Sequence, residues 1–319
     1  MFMIGLHPTQ SLAEAGQKIL SYHFHEFLKH EKSVRSSDDV EALHDMRVAT
    51  RRMRATIRIF ESGFTPSALK FFKTGLKETA KMLGAVRDLD VFIEKFTAHQ
   101  QELTPNEQLE LAPLLEYCHR QRNLARTKML AYLESKSYKK FKAGAMLFIT
   151  KETPENESVV STTKQPVRYQ IRHVASTLIY ARYEALRVYE PFLDNASMEL
   201  LHQLRIDSKH FRYVLENLQE ILGIESKNVL AEVKYIQNHL GDLNDANVAC
   251  HFLDDFLNHW KNYRQKLTTE STKKPEAIIH YLEIKKAERE NLLDTFSDVW
   301  HQFNSTQLRQ HLALAISAL

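Results

Sequence analysis

Apolar residues recur along this chain mostly at spacings of three and four, the period of an amphipathic helix, and no segment sustains a period of two. The pattern predicts helices near residues 9–31, 38–61, 66–83, 88–99 and 105–148, then near 167–190, 197–222, 226–240, 245–266, 275–303 and 305–317. Local signals sharpen several boundaries. Pro8-Thr9 opens the first helix, and in SSDDVEAL Asp38 offers an N-cap with Glu41 three residues on. Gly84 and Gly241 stand four residues before Asp88 and Asp245, as a C-cap glycine stands before the next N-cap. The expected fold class is all-α.

Between the two groups of helices lies KETPENESVVSTTKQP, residues 151–166, which is polar, aperiodic and carries proline near both ends. It reads as a linker between an N-terminal half, 1–150, and a C-terminal half, 167–319. The halves repeat each other. LHDMRVATRRMRATIRIF (43–60) aligns without a gap to LHQLRIDSKHFRYVLENL (201–218), and KETAKMLGAVRDLDV (77–91) to KYIQNHLGDLNDANV (234–248). Two matches in the same order at nearly the same separation point to a duplicated helical bundle.

Composition adds limits. Eight Gly and eight Pro in 319 residues favour long helices over turn-rich β structure. Cys118 and Cys250 stand far apart with no CxxC, which suggests neither a disulfide framework nor a thiolate metal site. No stretch approaches the ~20 apolar residues of a membrane-spanning helix, and the N-terminus does not read as a signal peptide. The expectation is a cytoplasmic protein with no membrane partner. Lys and Arg number 43 against 40 Asp and Glu, so an anion-binding role must rest on arrangement and not on the total.

That arrangement is marked. On a helical wheel Arg47, Arg51, Arg54 and Arg58 fall within about 80° of His44, with Leu43, Met46, Ala49, Met53, Ile57 and Phe60 on the adjoining face. The second copy repeats this with His202, Arg205, Lys209 and Arg212 beside Leu201, Leu204, Phe211, Leu215 and Leu218, although Glu216 stands where Arg58 does. A charge run is usually a solvated face. Here, however, like charges at i, i+4 repel without an acidic residue in the first stripe, which favours an anionic partner. Arginine suits phosphate because its planar fork grips two oxygens at once and stays charged.

Other chemistry is thin. Neither His44 nor His202 has an HxxxH or HExxH partner, and each serves equally as a brace within its bundle or as a phosphate contact. Asp88, Asp90, Asp242 and Asp245 could hold a divalent cation, but capping explains Asp88 and Asp245 better. Arg122, Arg126, Lys285 and Arg289 either widen the basic surface or are ordinary surface charges. No phosphate-binding loop, nucleophile elbow or paired catalytic carboxylates occur.

The motifs HxxRxxxRRxR from His44, HxxRxxxKxxRY from His202 and the LGxxRD-like turn after each closely resemble the CHAD family, the conserved histidine α-helical domain. The resemblance runs from about residue 10 to about 303. It implies two pseudo-symmetric four-helix bundles with a basic groove or pore between them, and non-enzymatic binding of inorganic polyphosphate, with association with polyphosphate granules or regulation of polyphosphate metabolism. Polyphosphate-metabolising enzymes are then further candidate partners. No ExExK signature of a fused triphosphate tunnel domain is present, so the resemblance is to a stand-alone module. Carried over by position, the implied polyphosphate contacts are His44, Arg47, Arg51 and Arg54, then His202, Arg205, Lys209 and Arg212. Arg52 and Arg58 extend the first stripe, and Lys77, Lys81 and Lys234 on the following helices face the same groove. No cofactor is implied beyond Mg²⁺ or Ca²⁺ accompanying the polymer. Two alternatives stand beside this reading: a nucleic-acid-binding module, disfavoured because the stripes lack stacking aromatics and base-edge amides, and an accessory to a metal-dependent polyphosphate or triphosphate hydrolase.

Overall fold

The computed structural model describes residues 4–150, 170–260, 262 and 275–319, and among them every extended element is a helix. The helices are α1 (Leu12–Ser36), α2 (Val40–Ile59), α3 (Pro66–Gln100), α4 (Pro105–Glu134), α5 (Lys136–Thr150), α6 (Ile171–Arg187), α7 (Met198–Leu218), α8 (Ser226–Asn258), α9 (Glu276–Asp294), α10 (Phe296–Phe303) and α11 (Thr306–Ile316). Residues 151–166, read as a linker, lie outside the described residues.

Local chemistry sets most helix starts. Ser11 and Glu14 form a reciprocal capping box on α1, and Thr104 and Glu107 form another on α4. The cap of α2 is Asp39 and not Asp38: its carboxylate accepts from the Glu41 and Ala42 N–H groups at 3.0 Å each, leaving Asp38 free for a tertiary role.

Four expected boundaries differ. α3 and α8 run unbroken through Gly84 and Gly241, so Asp88 and Asp245 lie inside helices and cap nothing. A mid-helix glycine costs only ~1 kcal/mol relative to alanine. Apolar contacts on both sides outweigh that: Leu83 and Val86 enter one core while Phe96, further along the same helix, enters another. Conversely, the expected 105–148 helix breaks at Ser135, whose hydroxyl accepts from the Tyr138 N–H at 3.2 Å and starts α5, and the expected 275–303 helix breaks at Thr295.

Three apolar clusters hold the molecule. One joins α1, α2, the first half of α3, the end of α4 and α5 around Phe24, Phe27, Phe72 and Phe141. A second joins α6, α7, the first half of α8, α10 and α11, and it also takes in Leu12, Ala15 and Ile19 from α1 and Phe60 after α2. The third packs the distal ends of α3 and α4 against those of α8 and α9 around Phe96, Leu114, Phe256 and Tyr281. The two halves thus share core at the base and are clamped at the tip, with α2 and α7 in direct contact between.

Close approach of α3 and α5 depends on Gly75. A methyl group there would lie 2.1 Å from the Phe141 ring, inside the buried Phe72–Phe141 edge contact. Gly75→Ala should destabilise the fold by about 1–3 kcal/mol, measurable as a lowered urea midpoint.

Candidate functional site

The apolar faces of α2 and α7 are buried as their spacing predicts; Met46, Met53, Leu204 and Phe211 are fully enclosed. Burying those faces sets the charged stripes along the seam where the two helices meet. A buried polar link fixes the register: Thr56 on α2 donates through Oγ1 to Oδ1 of Asn217 on α7 at 3.0 Å, while Asn217 Nδ2 donates to the Tyr213 carbonyl at 2.7 Å.

Cations from both helices converge here. The half-buried Lys209 ammonium is pushed down to about 8, first by loss of water and then by Arg205 on its own helix and Arg51, Arg58 and Arg54 across the seam. Arg51 is likewise lowered by desolvation, with Arg212 and Arg47 adding repulsion and Tyr213 opposing it, although its side chain still reaches solvent. An arginine crowded by protein yet open to water lies in a recess. Arg58 is lowered by burial and by Arg182 and Arg54. Among the described residues, no carboxylate comes within ion-pair distance of Arg51, Arg52, Arg54, Arg205 or Lys209, whereas Arg47 pairs with Asp88 at 2.9 Å and Arg212 with Glu216 at 3.4 Å.

The other sequence-derived positions distribute around this cluster. His202 is exposed, and its Nδ1 lies 2.8 Å from Asn244 Oδ1 on α8, which orients the ring. His44 is half-buried on α2. Arg52 turns to the far flank of α2, beside Tyr22 and His23 of α1. Lys77 and Lys81 are exposed and share a face of α3 with Gly84 and Asp88, the face that meets Arg47. Lys234 is exposed on the corresponding face of α8 as Asp245, which pairs with Lys95 of α3 at 3.1 Å.

Two groups of residues lie outside the cluster. Arg122 neither widens the basic surface nor lies free on it: it is buried, holds Asp38 through Nη1 and Nη2 at 2.7 and 2.8 Å, and pairs through Nε with Asp90. Arg126 joins the same staple, at 3.3 Å from Asp38. Lys285 folds back onto Glu288 and the Tyr281 ring, and Arg289 reaches Asn247. The aspartates considered for a divalent cation are dispersed, since Asp88, Asp90 and Asp245 each engage a different cation, and no group of three metal-ligating side chains occurs among the described residues.

Sequence reasoning missed two members of the seam, His210 and Arg182. His210 touches Arg58 directly and approaches Asp207 at 3.5 Å, and the charge of Arg182 on α6 acts on both Arg58 and His210. A signal existed for the first of them: the gapless alignment sets His210 opposite Arg52.

Comparison with known proteins fits this architecture. A family model described as the CHAD domain matches residues 18–254. Two uncharacterized proteins of Mycobacterium tuberculosis, from strains CDC 1551 / Oshkosh and H37Rv, are each 25% identical over 249 residues, which is 75% of this chain and 45% of theirs. The chain therefore spans less than half the length of these curated relatives. The crystal structure of the CHAD domain from the plant Ricinus communis superposes with a TM-score of 0.62 at 21% identity, covering 97% of this chain and 93% of that one. PptA from Streptomyces chartreusis superposes with a TM-score of 0.67 at 15% identity, covering 91% and 99% respectively. At these identities the two structures bear on the fold. Among the described residues no helix is long and apolar enough to cross a membrane.

Proposed function

The chain belongs to the CHAD domain family, and from that premise together with the seam's electrostatics we propose that it binds inorganic polyphosphate in a basic groove between α2 and α7 without transforming it. Some members of this family bind polyphosphate. The observation that carries the reading is the cluster of Arg51, Arg54, Arg58, Arg205 and Lys209, where burial first and then repulsion from the neighbouring guanidiniums lower the Lys209 pKa to about 8, with little carboxylate to relieve them. A polyanion supplies the missing counter-charge. The duplicated sequence motif accounts for the two rows: each copy contributes one, and a flexible chain of repeating phosphates can engage both. Arginine forks give charge-assisted, bidentate contacts to phosphate oxygens. His44 and His202 at one end, and Lys77, Lys81 and Lys234 on α3 and α8, extend the same surface. Localisation in the cytoplasm or at polyphosphate granules, and contact with polyphosphate-metabolising enzymes, follow from the ligand.

Calorimetric titration with polyphosphates of defined length, beside tripolyphosphate and RNA of matched charge, tests this. Longer chains should bind more tightly because successive contacts gain effective concentration. With about six phosphate contacts, affinity should fall roughly 10³-fold between 50 and 200 mM salt. RNA binding as tightly as polyphosphate would transfer the groove to nucleic acid, and phosphate release in the presence of Mg²⁺ or Mn²⁺ would make the protein a hydrolase.

A further inference from the structure

We propose, building on the polyphosphate reading, that the phosphate track continues past Arg58 onto α6, where Arg182 and His210 form a terminal phosphate subsite whose occupancy is coupled to protonation of His210. The geometry is specific. Arg58 Nη1 and His210 Nε2 are in direct contact, and because a guanidinium can only donate, a hydrogen bond between them requires Nε2 to accept from a neutral ring. His210 Nδ1 lies within ion-pair distance of Asp207 Oδ1, at 3.5 Å, and the other Asp207 oxygen accepts from the Tyr189 hydroxyl at 2.7 Å. The imidazole is thereby suspended between a permanent cation and a carboxylate already held by a phenol.

Arg182 completes the subsite from a third helix. It is half-buried on α6, and among the described residues no carboxylate lies within ion-pair distance of it. The charged and titratable groups facing His210 are Arg58 from α2, Arg182 from α6, and Asp207 and Lys209 from its own helix, with Tyr189 behind Asp207. Burial first, then Arg58, Lys209 and Arg182, hold the imidazole down to about 4, with Asp207 opposing. In the free protein it is therefore neutral at pH 5.5. A phosphate drawn between Arg58 and Arg182 cancels the repulsion and offers an acceptor to both guanidiniums. Arg58 can then release Nε2, which gains a proton and donates to the phosphate in turn. Binding consequently consumes protons in mildly acidic solution. Lys209 does not contribute in this range, because it is already charged in both states below pH 7.

Titrations of the full chain with long polyphosphate at pH 5.5, in buffers of different ionisation enthalpy, give the proton count. The wild type should take up about half a proton or more per site, and His210→Gln should reduce this to near zero. Arg182→Ala should weaken long polyphosphate about tenfold while leaving tripolyphosphate within about twofold, since a short ligand is satisfied around Lys209. Should His210→Gln fail to fold, Arg182→Gln serves in the same proton count, and it too should cut the uptake. Uptake that survives these variants, or equal weakening of short and long chains by Arg182→Ala, overturns the subsite alone. Absence of any polyphosphate binding by the wild type would instead remove the reading on which the subsite rests.

Discussion

Replacing Arg51 and Lys209 together by methionine should raise the melting temperature of the free protein while lowering polyphosphate affinity by 10²-fold or more. Each contact between a cation and a phosphate is worth about 1.5–3 kcal/mol, so removing two reaches about two to four decades of affinity. The gain in stability has the same origin. Lys209 sits half out of water among Arg205, Arg51, Arg58 and Arg54, and Arg51 adds desolvation and repulsion of its own. Unbranched methionine keeps much of each stem's packing and removes both charges. Relief of this kind is commonly worth about 1 kcal/mol, or roughly 2 °C in a chain of this size. The pH dependence identifies Lys209 as the source. Its folded pKa of about 8 lies below the ordinary 10.5, so the native state binds fewer protons than the unfolded state between those values. Wild-type stability should therefore climb as pH rises through that window, and the climb should shrink in Lys209→Met. Melting curves at pH 7 and pH 9.5, with the titration at pH 7, measure all three effects. A variant that is less stable, or that binds as the wild type does, would refute the picture of a strained cation cluster awaiting an anion.

The stripes that make up this cluster were legible from the sequence because a helix converts spacing into direction. Once apolar residues at three- and four-residue intervals fix which side of α2 and α7 is buried, the flanking arginines have no freedom about where they stand. Their facing one another followed less directly. It depends on the contact between Thr56 and Asn217, two polar residues that look like ordinary surface positions until the second helix arrives. His210 and Arg182 were hidden for the same reason, since the contact of His210 with Arg58 and the charge of Arg182 beside them bring in three helices that are distant in sequence.

Helix ends failed in an instructive way. Gly84 and Gly241 carry the local signature of a stop, but a glycine's preference is worth about 1 kcal/mol and yields to burial elsewhere on the helix. Leu83 and Val86 anchor α3 in the first cluster and Phe96 anchors it in the third, and α8 is held likewise by Leu240 and Phe256. The tip cluster that forces both helices to continue is a product of pairing between the halves. No window of sequence contains it. Asp38 shows the converse error: two adjacent aspartates are equivalent as caps by composition, and a guanidinium 84 residues away decides between them.

That guanidinium should also be the most stability-critical charge outside the α2–α7 seam. Arg122→Ala should cost about 3–5 kcal/mol, the usual penalty for breaking a buried ion pair, and lower the melting temperature by roughly 6–10 °C. The loss arises less from the missing arginine than from what it leaves behind. The Asp90 side chain is only 3% exposed, its Oδ2 has no other partner among the described residues, and without Arg122 it is an uncompensated carboxylate between α3 and α4. Asp38 would also lose both guanidinium hydrogen bonds that tie the α1–α2 junction to α4, keeping only Arg126. Replacing both ends of the inner pair, Arg122→Met with Asp90→Leu, should recover much of the loss, because an apolar pair of similar volume carries no desolvation penalty. The acid limb supplies an independent check. Hydrogen bonding to Arg122 holds the Asp38 carboxyl below its ordinary 3.8, so its share of the stability is fully present above that value and disappears as pH falls through the folded pKa. The gap between wild type and Arg122→Ala should accordingly narrow below about pH 4. Denaturant titrations of the three proteins at pH 7 and pH 3 measure it, and a single substitution no more costly than the double, or a gap that widens in acid, would show that the Asp38–Arg122–Asp90 chain contributes little to holding the first bundle together.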